Sequence, residues 1–169
     1  MALPSGLRFW GGSFAKNMVH DQLNDQRISF PEKGSPGFDA KEFPGLQRYA
    51  GQAVDNGPKA KAYANQYIRA HLKGTADGKT YSEVSTLSRA NPNDAKLAGQ
   101  VQTLFRGETL RGLLLYAWGW SVVGMIALYT AFGAFAGAVV VLAAMVYGIA
   151  RPEHAIVATD EDFRVPLAA

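Results

Sequence analysis

Residues 112–150 read GLLLYAWGWSVVGMIALYTAFGAFAGAVVVLAAMVYGIA, without one Asp, Glu, Lys, Arg or His. An uncharged apolar stretch of about 18 residues or more is long enough to cross a bilayer, and this one runs to roughly twice that. A soluble core can hide a short apolar helix, but a helix of this length with no polar face has nowhere to be buried. The stretch therefore decides the class: an all-α membrane protein, with a small polar helical N-terminal region ahead of the membrane segment.

Its length also bears on topology. A single helix of about 39 residues would be close to 58 Å long at about 1.5 Å per residue, against a hydrocarbon core of about 30 Å. Two spans fit better than one, and the glycine-dense segment around Phe132, Gly133 and Gly137 is the natural break. The sequence thus predicts a C-terminal two-helix transmembrane hairpin, with spans at 110–131 and 133–150 inside a segment 107–151, followed by a short polar tail, 152–169. Small residues spaced for close helix approach support it: Ala117, Ser121 and Gly124 in the first span, and Gly133, Gly137, Ala144 and Gly148 in the second. Where lipid is as apolar as the side chains, such residues let backbones meet. Packing within the hairpin is the favoured reading, and packing against another chain the alternative. Tyr116, Trp118, Trp120 and Tyr147 fall toward one interface, as an aromatic belt does. Arg106, Arg111 and Arg151 flank the segment while the turn carries no charge. By the positive-inside rule both termini are then expected in the cytoplasm, in a multi-pass protein of the plasma membrane.

The preceding region, 1–106, holds most of the charge. A first helix is expected over 13–27, with Ser13 as cap and Phe14, Met18 and Leu23 on one face. Residues 1–18 either lie on the membrane surface or pack on the domain, since Leu7, Phe9, Trp10, Phe14 and Met18 supply apolar anchors and Arg8 and Lys16 charge. A Pro/Gly-rich loop, 31–57, follows; Phe30, Phe38, Phe43, Leu46 and Tyr49 are frequent enough that it is expected to pack. A second helix spans 58–73, with Pro58 at its first position and Gly74 at its end. Asp77-Gly78 forms a turn. Thr80 and Glu83 have the spacing of a capping box and open a helix over 81–89. Asn91 and Pro92 announce a last helix, which carries Leu97, Val101 and Leu104 toward the membrane. No strand is expected.

Composition excludes several chemistries. There are no cysteines, hence no disulfides, thiolate metal sites or cysteine nucleophiles. A net charge of +3 without a dense Lys/Arg cluster gives no basis for nucleic-acid binding. His20, His71 and His154 are far apart and outside the spans, so no metal or haem ligation is expected. The spans lack the acids and bases of a proton relay or ion path. Residues 74–80, GTADGKT, resemble a phosphate-binding loop but have three residues between the glycines where the motif needs four, and follow a helix where it needs a strand. No catalytic residue and no cofactor is expected.

The segments 60–72, AKAYANQYIRAHL, and 77–84, DGKTYSEV, with Thr109-Leu110-Arg111-Gly112 at the entry to the apolar run, resemble a group of uncharacterised actinobacterial membrane proteins. In that group a GKTYxEV turn and helix precede a TLRG entry into paired apolar helices, and some members carry a label as a subunit of an aromatic ring-opening dioxygenase. That chemistry needs a histidine/carboxylate iron site, and no such spacing occurs here. The resemblance covers roughly 19–150 and implies a small membrane protein with a helical extramembrane part.

The functional expectation is accordingly a non-enzymatic membrane anchor, scaffold or accessory subunit of a membrane complex, respiratory or transport. Its partners would be the lipid bilayer and other membrane subunits or further copies of itself. The alternative is a membrane-associated enzyme or lipid-handling protein with a site at the junction of domain and bilayer, for which a pocket joining His71, Tyr67 and Glu83 would be the sign.

Overall fold

In the computed structural model the backbone is described over residues 5–150 and side-chain surroundings over 13–150. The order is α1 (Ser5–Asp25), a 3₁₀ helix (Pro44–Tyr49), α2 (Gly57–Ala62), a π-helical segment (Tyr63–Ile68), α3 (Arg69–Thr75), α4 (Tyr81–Ala90) and α5 (Ala95–Ala150). The only β feature among the described residues is an isolated bridge between Ser29 and Ala53. The chain divides into two units, Met1–Ala131 and Phe132–Ala169.

Local chemistry sets most of the element ends. Asn56 caps α2, its side chain accepting from the Lys59 N–H, and Pro58 occupies the first turn, where a missing N–H costs nothing. Thr80 and Glu83 make the expected capping box: Thr80 Oγ1 accepts from the Glu83 N–H at 3.3 Å, and the Thr80 N–H donates to Glu83 Oε2 at 2.7 Å. Asp77 (φ 52°) and Gly78 (φ 80°) form the turn between α3 and α4. Two starts differ from expectation. α1 begins at Ser5 and runs through Ser13, so Ser13 is interior. α5 is capped by Asp94, whose Oδ1 accepts from Lys96 and Leu97, while Asn91 and Pro92 lie in the turn before it. An aspartate one residue ahead of the helix holds the positive end of the dipole better than a neutral amide.

The core of the first unit is built from every element. Phe30, Phe38, Leu46, Val54, Val84 and Leu104 are its largest fully buried side chains. The Pro/Gly-rich loop therefore packs as expected, through Phe30, Phe38, Phe43 and Leu46. Two glycines mark close approaches to α5. A Cβ on Gly57 would overlap Ser121, and one on Gly107 would overlap a methyl of Leu72.

The hairpin expectation is overturned: Ala95–Ala150 is a single helix, unbroken at Gly133–Gly137, and among the described residues there is no second candidate span. Glycine lowers helix propensity by only about 1 kcal/mol, and nothing in 131–138 actively stops a helix. There is no proline to remove a donor and no Asn or Asp to cap a new start. The orientation with both termini on one side rested on that turn and loses its basis with it. His154, Arg151 and the 152–169 tail lie outside the described residues, as do the side chains of Leu7, Phe9 and Trp10.

Candidate functional site: the long apolar helix and the domain built on it

Within the first unit α5 has two contrasting faces. One is buried: Leu104, Leu114, Gly124 and Ala131 are inaccessible, with Ala117, Trp118 and Ser121 half-buried between them. The 3.5-residue rhythm of these positions is that of a helix packed along its length. Small residues at Ala117, Ser121 and Gly124 allow it, because α2 begins against Ser121 with no side chain on Gly57. The Ser121 hydroxyl donates to the Trp118 carbonyl at 2.7 Å. In the second unit the described residues, 132–150, are exposed throughout, Gly133, Gly137, Ala144 and Gly148 included. No atom of the described residues lies within 4 Å of where a Cβ on Gly133, Gly137 or Gly148 would stand.

Charge is placed against the start of the apolar run. Lys61 Nζ stands 4.1 Å from the centroid of the Trp118 ring, a cation–π contact of about 0.5–1 kcal/mol at a wet site. Lys59 pairs with Asp55 at 3.1 Å, ahead of the turn that seats Gly57 on Ser121. Arg111, the last charge before the run, donates to Glu108 at 2.8 Å and to Asn65 Oδ1 at 3.2 Å, while its Nε is buried without a partner. Arg111 thus fastens α5 to the π-helical segment. Trp118, expected in an aromatic belt, lies under a lysine of the polar domain.

The π-helical segment orders an aromatic row. Tyr63, Tyr67 and His71 are spaced by four residues, and the widened turn keeps them in line. Tyr63 and Tyr67 rings are 5.0 Å apart and Tyr67 and His71 4.4 Å. Phe30 packs edge-on to Tyr63 at 5.1 Å, and Phe43 stacks on His71 at 5.9 Å. Positions four apart are also neighbours on a regular helix, so the spacing of Tyr63, Tyr67 and His71 carries this row in the sequence, while the Phe30 and Phe43 rings packed on it do not show there. Burial pushes the Tyr63 phenol above its ordinary value, and Tyr67 adds to the shift.

These residues do not assemble a reaction centre. His71 Nδ1 is engaged by the Tyr67 carbonyl at 2.9 Å. Glu83, fully exposed, has its carboxylate held below the ordinary glutamate range by hydrogen bonds from the Thr80 backbone and then its side chain. The sign of an enzyme therefore splits: Tyr67 and His71 meet, and Glu83 serves its cap. His20 ties α1 to the loop, with Nδ1 2.9 Å from the Asp55 carbonyl and Nε2 2.9 Å from Asn24. Among the described residues no group of three or more His, Asp or Glu is placed to hold a metal. Thr80, in the loop resembling a phosphate site, is a helix cap. An open groove of about 300 Å3 runs between α1 and α5, lined by Met18, Leu23, Ile28, Leu113 and Trp120 among others. The chain matches no family model, no curated protein and no solved structure. α5 (Ala95–Ala150) is one helix long and apolar enough to cross a membrane.

Proposed function

We propose that the chain is a non-enzymatic membrane anchor or accessory subunit, in which the helical domain is held at a bilayer by one crossing over residues 132–150. The observation that carries this is the change in burial along α5. Up to Ala131 the helix has a face covered by its own domain, and from Phe132 onward every residue is exposed. Those roughly 19 residues rise about 28 Å, close to the ~30 Å of the hydrocarbon core. All are uncharged, and their exposure to water would be costly at about 25 cal/mol per Å2 of apolar surface. The part before them sits beside Lys61, Lys59 and Asp55, whose charges belong in water or among headgroups.

Alkaline carbonate extraction of membranes carrying the full chain tests it. The protein is expected in the pellet, and Val140→Arg, a charge at the middle of the crossing, is expected to move a large fraction to the supernatant. Full release of the unaltered chain by carbonate would overturn the reading.

A further inference from the structure

The groove between α1 and α5 lies wholly within the first unit and has the make-up of a ligand site. Its floor is formed by Val19, Leu23 and Leu114, which are buried and belong to the core of the domain. A floor held by the core is in place before a ligand arrives, and about 300 Å3 is the lower end of the range for small-molecule sites. Large apolar side chains stand open along it: Leu113 is 63% exposed, Tyr116 66% and Trp120 40%. The Tyr116 and Trp120 rings pair edge-to-face at 6.1 Å.

The charge around the groove has one sign. Asp25 lines it with the amides of Gln22 and Gln26, and among the described residues no Lys, Arg or His does. Asp21 lines an adjoining depression that shares Met18 and Gln22 with the groove and likewise has no basic lining residue among those described. Lys16 and Arg27, the nearest cations in sequence, line neither. Both carboxylates are exposed, and neither is in an ion pair among the described residues. Asp25 is also the last residue of α1, whose final turn has no basic residue, so the negative end of the helix adds to its field. An apolar cleft beside uncompensated negative charge selects its occupant by charge. A fatty acid or a phospholipid brings a carboxylate or phosphate that Asp25 repels. A helix, about 10–12 Å across, is too wide to be seated in a space of this volume.

We propose that the groove binds a small organic cation with an apolar body, its ammonium group against Asp25 and its body on the apolar floor beside Tyr116 and Trp120. The carboxylate supplies a charge-assisted contact, and the aromatic rings attract the cation as well as covering its apolar part. The site does not depend on the bilayer crossing, because every lining residue falls within 18–28 or 110–120.

Purified full chain in an uncharged detergent is titrated with phenylbutylammonium, and with phenylbutanol and phenylbutanoate as its neutral and anionic counterparts, by ligand-observed NMR against detergent blanks. The ammonium is expected to bind saturably and about tenfold more tightly than the alcohol, with no binding of the carboxylate above the blank. Asp25→Asn is expected to bring ammonium and alcohol to the same affinity, and Trp120→Leu to weaken both. Glu42→Gln, which removes an exposed acid that does not line the groove, is expected to change neither. Far-UV circular dichroism checks that each variant is folded, and Tyr116→Leu replaces Trp120→Leu if that variant is not. Absence of saturable ammonium binding, equal affinities for ammonium and alcohol in the parent, or a preference unchanged by Asp25→Asn would each overturn the proposal.

Discussion

Replacing Gly57 with alanine places one methyl group where the α2–α5 contact has no room. The new Cβ would overlap both Oγ and Cβ of Ser121, and would come to 3.4 Å from the Trp118 Cα. The hydroxyl can swing away by giving up its 2.7 Å bond to the Trp118 carbonyl, but the Ser121 Cβ is fixed to the backbone. The start of α2 must therefore back off α5. Overpacking of this kind costs about 1–3 kcal/mol. The retreat also draws Lys61 from the Trp118 ring, about 0.5–1 kcal/mol more. A total near 2–4 kcal/mol corresponds to a fall in Tm of roughly 10 °C for a domain of this size. Thermal unfolding of the purified full chain in mild detergent, followed by far-UV circular dichroism and tryptophan fluorescence, measures it. Ser121→Gly removes the obstructing atoms, so the Gly57→Ala/Ser121→Gly double variant should recover at least half of the loss. A Gly57→Ala protein within about 0.5 kcal/mol of the parent, or a double variant no better than the single, would refute the close approach.

Gly107→Ala should likewise destabilise by about 1–3 kcal/mol through its clash with Leu72, and Leu72→Ala should make the added methyl harmless, read in the same unfolding assay. Phe38→Ala, emptying a fully buried site in the irregular loop, should cost about 3–5 kcal/mol and broaden or abolish the transition. Because the folded Glu83 carboxyl titrates below its ordinary range, its contribution is present above the unfolded value and is lost as pH falls through the lower, folded one. Stability should thus drop below the ordinary glutamate range, and comparison of Glu83→Gln with the parent across acid pH should show a smaller drop in the variant. Gly137→Leu should leave the Tm of the domain unchanged, since no atom of the described residues lies within 4 Å of where a Cβ would stand there.

The apolar run, the capping box at Thr80 and the turn at Asp77-Gly78 were legible because each is local: composition and fixed spacing carry the information. The packing of Phe30, Phe38 and Leu46 was legible as a density of aromatics in a Pro/Gly-rich loop, without their partners. The hairpin was misread because a glycine cluster measures only a weakened helix, and length arithmetic assumed that all uncharged residues lie in lipid. The domain instead covers one face of the first half, which only the tertiary contacts of Ser121, Gly124 and Leu114 reveal. The Tyr63–Tyr67–His71 row follows a spacing of four that a regular wheel already places on one face, whereas the π-helical widening of that segment left no local mark. Asn56-Gly57-Pro58-Lys59, by contrast, held a readable signal: a side-chain cap three residues before its donor, with proline between.

The account stands on a single crossing by residues 132–150. Its most direct test is the sidedness of two single cysteines, Thr103→Cys before the crossing and Glu153→Cys after it, labelled in intact cells or sealed vesicles with a membrane-impermeant maleimide. One crossing predicts that only one of the two reacts from outside and that the other reacts only once the membrane is opened. Labelling of both from the same side, or of both regardless of membrane integrity, would contradict it.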